Sequence, residues 1–150
     1  MHISTFTNQE LEKITIVGSG MMGHGIGQEF ATAGHKVTFL GRSETTIKQD
    51  IKKIERNLLE MTQWDLIDQD TCNAAMKNIH LTTSLEEAAR DAGLLIEAIV
   101  EDLDIKKQLF FRLDKACPAH TILASNTSTI LPSLLEAATK RPDRVAVLYF

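Results

Sequence analysis

Residues 13–28 read KITIVGSGMMGHGIGQ, and no other stretch of the chain constrains the fold as tightly. The β-branched run Ile14–Val17 stops at a glycine, and further glycines follow at 20, 23, 25 and 27. A short apolar run bounded by glycine is the pattern of a buried strand. Behind it, Met21–Ala33 puts Ile26, Phe30 and Ala33 on one helical stripe, with Gly34 to end the helix. Strand, tight turn and helix are therefore expected in direct succession, with Gly18, Gly20 and Gly23 spaced G-x-G-x-x-G at the turn. Gly18 permits the turn, Gly20 has no Cβ to hold a pyrophosphate off the backbone, and Gly23 lets the helix pack close to the sheet. Ser19, Met21 and Met22 supply backbone N–H groups beside them, where a helix start offers unpaired donors and partial positive charge to phosphate. Gly25 and Gly27 are expected to be packing residues, and His24 a partly exposed helix histidine.

The rest of the chain repeats the alternation. Strands are expected at Val37–Leu40, Ile79–Leu81, Leu94–Ile99, Ile122–Ala124 and Val145–Leu148. Between them lies a long helix capped by Ser43, with Ile47, Ile51, Ile54, Leu58 and Met61 on its buried face. A short helix is expected over 69–78, and a capping box at Ser84, with Glu87 reaching back to it. A further helix over 103–116 carries Ile105, Leu109 and Leu113 on its core stripe, and Pro132 opens another over LLEAATK. Alternating strands and helices imply parallel strands joined by right-handed crossovers. The fold class is α/β, Rossmann-type and doubly wound: one dinucleotide-binding domain over 1–150 with a mostly parallel sheet and helices on both faces.

Composition excludes several classes of function. A net charge of −4 argues against a broad surface for nucleic acid or membrane. The opening residues are polar and carry no apolar segment of a secretory signal, and no apolar run approaches the ~18–20 residues of a membrane span. Cys72 and Cys117 lie far apart, and neither they nor the histidines have metal-ligand spacing. No metal is expected, and two reduced thiols fit a cytoplasmic protein.

One element of a dinucleotide site is missing. About twenty residues after the glycines, the second strand usually ends in Asp or Glu, which accepts hydrogen bonds from the adenosine ribose. Here the strand runs KVTFLGRSE, and Gly41 stands at that position, followed by Arg42 and Ser43. Without a carboxylate nothing repels a 2′-phosphate. Arg42 can pair with such a phosphate bidentately, and Ser43 adds a donor. The expected cofactor is thus NADP(H), favoured slightly over NAD(H).

Three later stretches, LLIEAIVEDLDIKKQLFFRLD (94–114), TILASNTSTI (121–130) and KRPDRVAVLYF (140–150), follow the glycine turn in this order. In this combination the chain resembles the nucleotide-binding domain of the 3-hydroxyacyl-CoA dehydrogenase family over almost its whole length. The resemblance implies hydride transfer between a nicotinamide and C3 of a 3-hydroxyacyl or 3-ketoacyl substrate, in fatty acid metabolism. It puts Glu101 and Lys106 on the nicotinamide side and makes Ser128 a hydrogen-bond partner of the substrate oxygen, with Asn126 shaping the loop. Asn57 and Trp64 fall where the family has polar and basic residues near the CoA moiety.

Two departures from the family qualify this. Its catalytic histidine is replaced by Tyr149, whose phenol, with an unperturbed pKa of about 10, needs a neighbouring cation to act as an acid. The family's helical domain, which closes the substrate site and forms the dimer, does not follow Phe150 in these 150 residues. Little turnover of acyl-CoA is therefore expected from this chain alone. The competing readings are a non-catalytic dinucleotide-binding or redox-sensing module, and a relative acting on non-CoA hydroxy acids or diketones.

Overall fold

A computed structural model describes residues 12–150. The polar opening stretch, and the reading that it is no secretory signal, lie outside the described residues up to position 11. The elements run β1 (Lys13–Val17), α1 (Met21–Thr32), β2 (Lys36–Leu40), α2 (Glu44–Gln63), α3 (Gln69–Lys77) and β3 (Ile79–Thr82). The second half runs α4 (Leu85–Ala89), β4 (Leu94–Glu97), α5 (Leu103–Ala116), β5 (Ile122–Ser125), α6 (Pro132–Glu136), a single 3-10 turn at Pro142–Arg144 and β6 (Val145–Val147). The strands form one six-stranded sheet in the order β3-β2-β1-β4-β5-β6, and every neighbouring pair is parallel. That is the doubly wound order in which strand succession reverses between β1 and β4.

Strand alternation sorts the core into two layers. Ile14, Ile16, Phe39, Ile96 and Ala124 face one side and pack with Ile26, Ile47, Ile51, Ile54 and Leu58 of α1 and α2. Val17, Leu40, Leu95 and Leu123 face the other and pack with Leu85, Phe110, Leu113 and Leu135 of α4, α5 and α6. The period of two along each strand thus puts helices on both faces. Among the described residues no helix is long and apolar enough to cross a membrane.

Several local expectations shift. On α1 the buried stripe takes Gly27 and Ala31 instead of Ala33, which is exposed as the residue closing the helix. Gly34 follows at φ +94, a left-handed conformation that suits glycine, and its N–H closes on the Ala31 carbonyl. Gly27 does pack: a Cβ there would lie 2.1 Å from the Phe39 ring. Gly25 does not, since a Cβ would meet nothing within 4 Å. β4 stops at Glu97, two residues short of Ile99, because the Glu97 carboxylate turns back to accept the Ile99 N–H at 2.7 Å. Ser84 caps α4 by accepting the Glu87 N–H at 3.2 Å, but the Glu87 side chain reaches back through Thr82, whose hydroxyl donates to Glu87 at 2.5 Å and accepts the Ser84 N–H. α6 is a single short helix over Pro132–Glu136 that does not continue through residue 140. On α5 the buried set is Lys106, Phe110 and Leu113, while Ile105 is exposed; a paired lysine displaces an isoleucine from the core face.

Candidate dinucleotide site at the carboxyl end of the sheet

The turns after β1, β2, β4 and β5 all leave the same edge of the sheet, beside the point where strand order reverses. Open α/β sheets bind ligands at this edge. Gly18 has φ +97, and a Cβ on it would sit 2.8 Å from the Ala98 carbonyl oxygen, so the turns after β1 and β4 touch there. Gly23 is equally constrained: a Cβ would fall 1.8 Å from the Gly18 carbonyl oxygen. Gly20 differs, because a Cβ would meet no protein atom within 4 Å. Among the described residues glycine at 20 therefore serves no packing purpose, and the space over it suits a group that approaches the backbone from outside.

The start of α1 is prepared for an anion. Its first backbone hydrogen bond runs from the His24 N–H to Gly20, which leaves the N–H groups of Met21, Met22 and Gly23 without helical acceptors. No acidic residue lies in the first turn, and Gly20 provides no side-chain cap. Met21 and Met22 are themselves exposed. His24 is half-buried, and its Nδ1 donates to the Gly20 carbonyl at 2.7 Å. These residues fit a dinucleotide pyrophosphate, by the open cradle at Gly20 and the free donors beside it.

Ser19 is buried, and its hydroxyl donates to Asp50 of α2 at 2.7 Å. Asp50 also pairs with Lys53 at 2.7 Å. Burial works to raise the Asp50 pKa, but hydrogen bonds from Lys53 and Ser19, with the charge of Lys53, outweigh it and hold the carboxyl below its usual range. Asp50 thus ties the glycine turn to α2, a role missed in the sequence. A signal was there: a carboxylate at helical spacing from both Ile47 and Ile54, on the apolar stripe itself.

At the end of β2, Gly41 is held by its N–H to the Thr82 carbonyl at 3.2 Å. Arg42 is exposed and makes no ion pair among the described residues. Ser43 caps α2, accepting the Thr46 N–H at 3.3 Å and sharing a hydrogen bond with the Thr46 hydroxyl at 2.9 Å.

On the other side of the reversal lies a charge network. Lys106 is fully buried, with its Nζ 3.0 Å from Glu97 and 2.8 Å from Glu101. Glu97 is also fully buried and accepts the Ser125 hydroxyl at 2.5 Å. Glu101 is part-exposed and accepts hydroxyls from Thr127 and Thr129, the residues flanking Ser128. Burial pushes the Glu101 pKa up, yet hydrogen bonds from Lys106, Thr127 and Thr129 prevail and bring it to about 2. Glu101 and Lys106 are therefore brought together, and Ser128 stands exposed in the loop they brace. Glu97 was missed; its signal was a lone carboxylate inside the apolar run LLIEAIV.

The model of the 3-hydroxyacyl-CoA dehydrogenase NAD-binding domain matches residues 13–150. The chain belongs to this family. It is 37% identical over 138 residues to a 3-hydroxybutyryl-CoA dehydrogenase of Clostridioides difficile, covering 92% of this chain and 49% of that protein. A mitochondrial hydroxyacyl-coenzyme A dehydrogenase of Sus scrofa is 34% identical over 145 residues, covering 93% of this chain and 46% of the relative. A crystal structure of 3-hydroxybutyryl-CoA dehydrogenase from Escherichia coli K12 superposes with a TM-score of 0.90 at 34% identity, over 93% of this chain and 29% of that one. The chain thus spans about half the length of the first two relatives.

Against the family pattern, Tyr149 lies just beyond β6 and is 77% exposed, so it is no core aromatic. No hydrogen bond or ion pair reaches its phenol among the described residues. Asn57 donates to the Gln28 side chain at 3.1 Å, which occupies it between α1 and α2. Trp64 closes α2 and is 77% exposed.

Proposed function

We propose that this domain binds NADP(H) in preference to NAD(H) and forms the nucleotide-binding half of an oxidoreductase acting on 3-hydroxyacyl- or 3-ketoacyl-CoA. The observation that carries the reading is the pairing of two open sites at one sheet edge. One is the cradle at Gly20, under donors of Met21, Met22 and Gly23 with no acidic residue in the first turn of α1. The other is the carboxylate-free end of β2, where exposed Arg42 makes no ion pair among the described residues. Arg42 and the start of α2 at Ser43 receive the 2′-phosphate; Gly18, Ser19, Gly20 and Gly23 shape the pyrophosphate turn.

The bound nicotinamide supplies the hydride chemistry. Toward it, Glu101 and Lys106 stiffen the wall of the site, and Ser128 orients the substrate oxygen with its hydroxyl. Tyr149 stands in the proton-exchange position. The chain spans about half the length of its relatives, and the closure of the substrate site belongs to the whole enzyme. The buried free thiols Cys72 and Cys117 support a reducing, cytoplasmic setting.

The test is titration of NADPH and NADH by nucleotide fluorescence against the wild type and Arg42→Ala. NADPH is expected to bind more tightly, and the substitution to weaken NADPH by roughly tenfold or more, the size of a charge-assisted hydrogen bond, with little effect on NADH. Unchanged NADPH affinity in the variant defeats the 2′-phosphate assignment. Failure of both nucleotides to bind defeats the whole reading.

A further inference from the structure

We infer that Ile47, a buried residue one turn into α2, fixes the cofactor preference by denying position 41 any side chain. The inference rests on the nucleotide-binding reading above and goes beyond it, because Ile47 is only 1% exposed and belongs to the core cluster.

The argument is steric. A Cβ built on Gly41 falls 2.4 Å from Cγ1 of Ile47, 3.0 Å from its Cδ1 and 3.8 Å from its Cβ. Real carbon contacts do not approach 2.4 Å, so something has to move. Three routes of escape are closed. The backbone of Gly41 is anchored by its N–H to the Thr82 carbonyl at 3.2 Å, directly after β2, which is paired along its length with β1. The backbone of Ile47 is anchored by its N–H to the Ser43 carbonyl at 3.1 Å, in a helix start that Ser43 caps. The position of Cγ1 follows from χ1, and a β-branched side chain in a helix has one strongly preferred χ1.

The chemical consequence follows from what position 41 does in a dinucleotide site. A carboxylate there accepts hydrogen bonds from the adenosine ribose and repels a 2′-phosphate. Ile47 excludes that carboxylate by volume. The end of β2 therefore stays free of negative charge, and the preference is set by an aliphatic side chain that is only 1% exposed. Ile47 is thus a specificity-determining residue acting through the backbone of Gly41.

The experiment is a cycle of Gly41→Asp, Ile47→Ala and the double variant, read by NADPH and NADH titration, together with melting of Gly41→Ala alone and in the Ile47→Ala background. Gly41→Asp alone is expected to lower the melting temperature and gain no NADH affinity. In the Ile47→Ala background, the same aspartate is expected to tighten NADH by roughly tenfold or more and to weaken NADPH to a similar degree. Gly41→Ala, which adds only the Cβ, should lower melting in the wild type and much less in the Ile47→Ala background, whereas Gly20→Ala, built into open space, should not lower it. The inference is overturned if Gly41→Asp alone gains NADH affinity at unchanged melting, or if Gly41→Ala costs the same in both backgrounds. Should Ile47→Ala fail to fold, a melting temperature undisturbed by Gly41→Ala in the wild type still refutes it. If the wild type binds neither nucleotide, the functional reading falls while the melting arms continue to judge the steric one.

Discussion

Lys106→Met is the most informative single perturbation of the charge network. Methionine nearly preserves the length and volume of lysine, so packing around α5 is retained and the change isolates the charge. In the native chain the ammonium sits 3.0 Å from Glu97 and 2.8 Å from Glu101, and both Lys106 and Glu97 are fully buried. After the substitution Glu97 keeps two donors among the described residues, the Ser125 hydroxyl and the Ile99 N–H, and no positive partner there. A buried pair broken on one side costs about 3–5 kcal/mol, most of it for the charge left behind. That is a large share of the ~5–15 kcal/mol of a typical domain. Pairing the change with Glu97→Gln removes both charges, and the double variant is expected to regain most of the loss, finishing within about 1–2 kcal/mol of wild type. Urea unfolding at neutral pH, followed by circular dichroism with comparison of midpoint and slope, measures all four proteins. A Lys106→Met loss below about 1 kcal/mol, as for an exposed pair, refutes the reasoning. So does a double variant whose losses simply add.

Three more outcomes follow from the same geometry. Gly20→Ala is expected to leave urea stability near wild type but to abolish dinucleotide binding, whereas Gly23→Ala, with its Cβ 1.8 Å from the Gly18 carbonyl, should lose about 1–3 kcal/mol or more of stability as well. Equal melting losses in the two would contradict this contrast. The Glu101 pKa is depressed from 4.5 to about 2, so its contribution is complete above the unfolded value and is lost as pH falls through that interval; the acid limb of the stability curve should flatten there in Glu101→Gln, as seen by melting between those limits. Arg141 donates to the Asp114 carboxylate at 2.7 Å and to the carbonyls of Asp114, Cys117 and Pro118, closing the end of α5. Arg141→Ala should destabilise by roughly 3 kcal/mol and Arg141→Lys by nearly as much, because an ammonium cannot span those acceptors; urea midpoints near wild type would argue otherwise.

The fold was legible because its signals are redundant. Each strand is a short apolar run closed by turn residues, and Ser43, Ser84 and Pro132 mark helix starts where the structure has them. The turn at Gly18–Gly23 was legible for the same reason, since spacing and context agree. What escaped were side chains whose role depends on a partner remote in sequence. Lys106 reads as a solvated lysine until Glu97 is known to face it from β4, and its burial then rotates the core face of α5 away from Ile105. Asp50 likewise looks like one charge among many on α2 until Ser19 meets it. Gly41 was read as the absence of an acid; the sequence carried no sign that Ile47 occupies the space.

The two halves of the site are therefore held by different forces. Beside β1 and β2 the constraints are mostly contacts, Gly23 against Gly18, Gly27 against Phe39 and Gly41 against Ile47, with Asp50 adding a charged tie to Ser19. On the side of β4 and β5 they are charges and hydrogen bonds, with Glu97, Glu101 and Lys106 bracing the loop that carries Ser128. Close-packed contacts respond to volume and hardly at all to pH. A carboxylate that accepts three hydrogen bonds responds to protonation, and removing its charge loosens every group that donates to it. Protonation of Glu101 should accordingly loosen the Ser128 loop, as protonation of Asp50 should loosen the tie between the glycine turn and α2. The turn after β1 thus leaves no room for a side chain at Gly18 or Gly23, whereas the Ser128 loop depends on which charges remain paired.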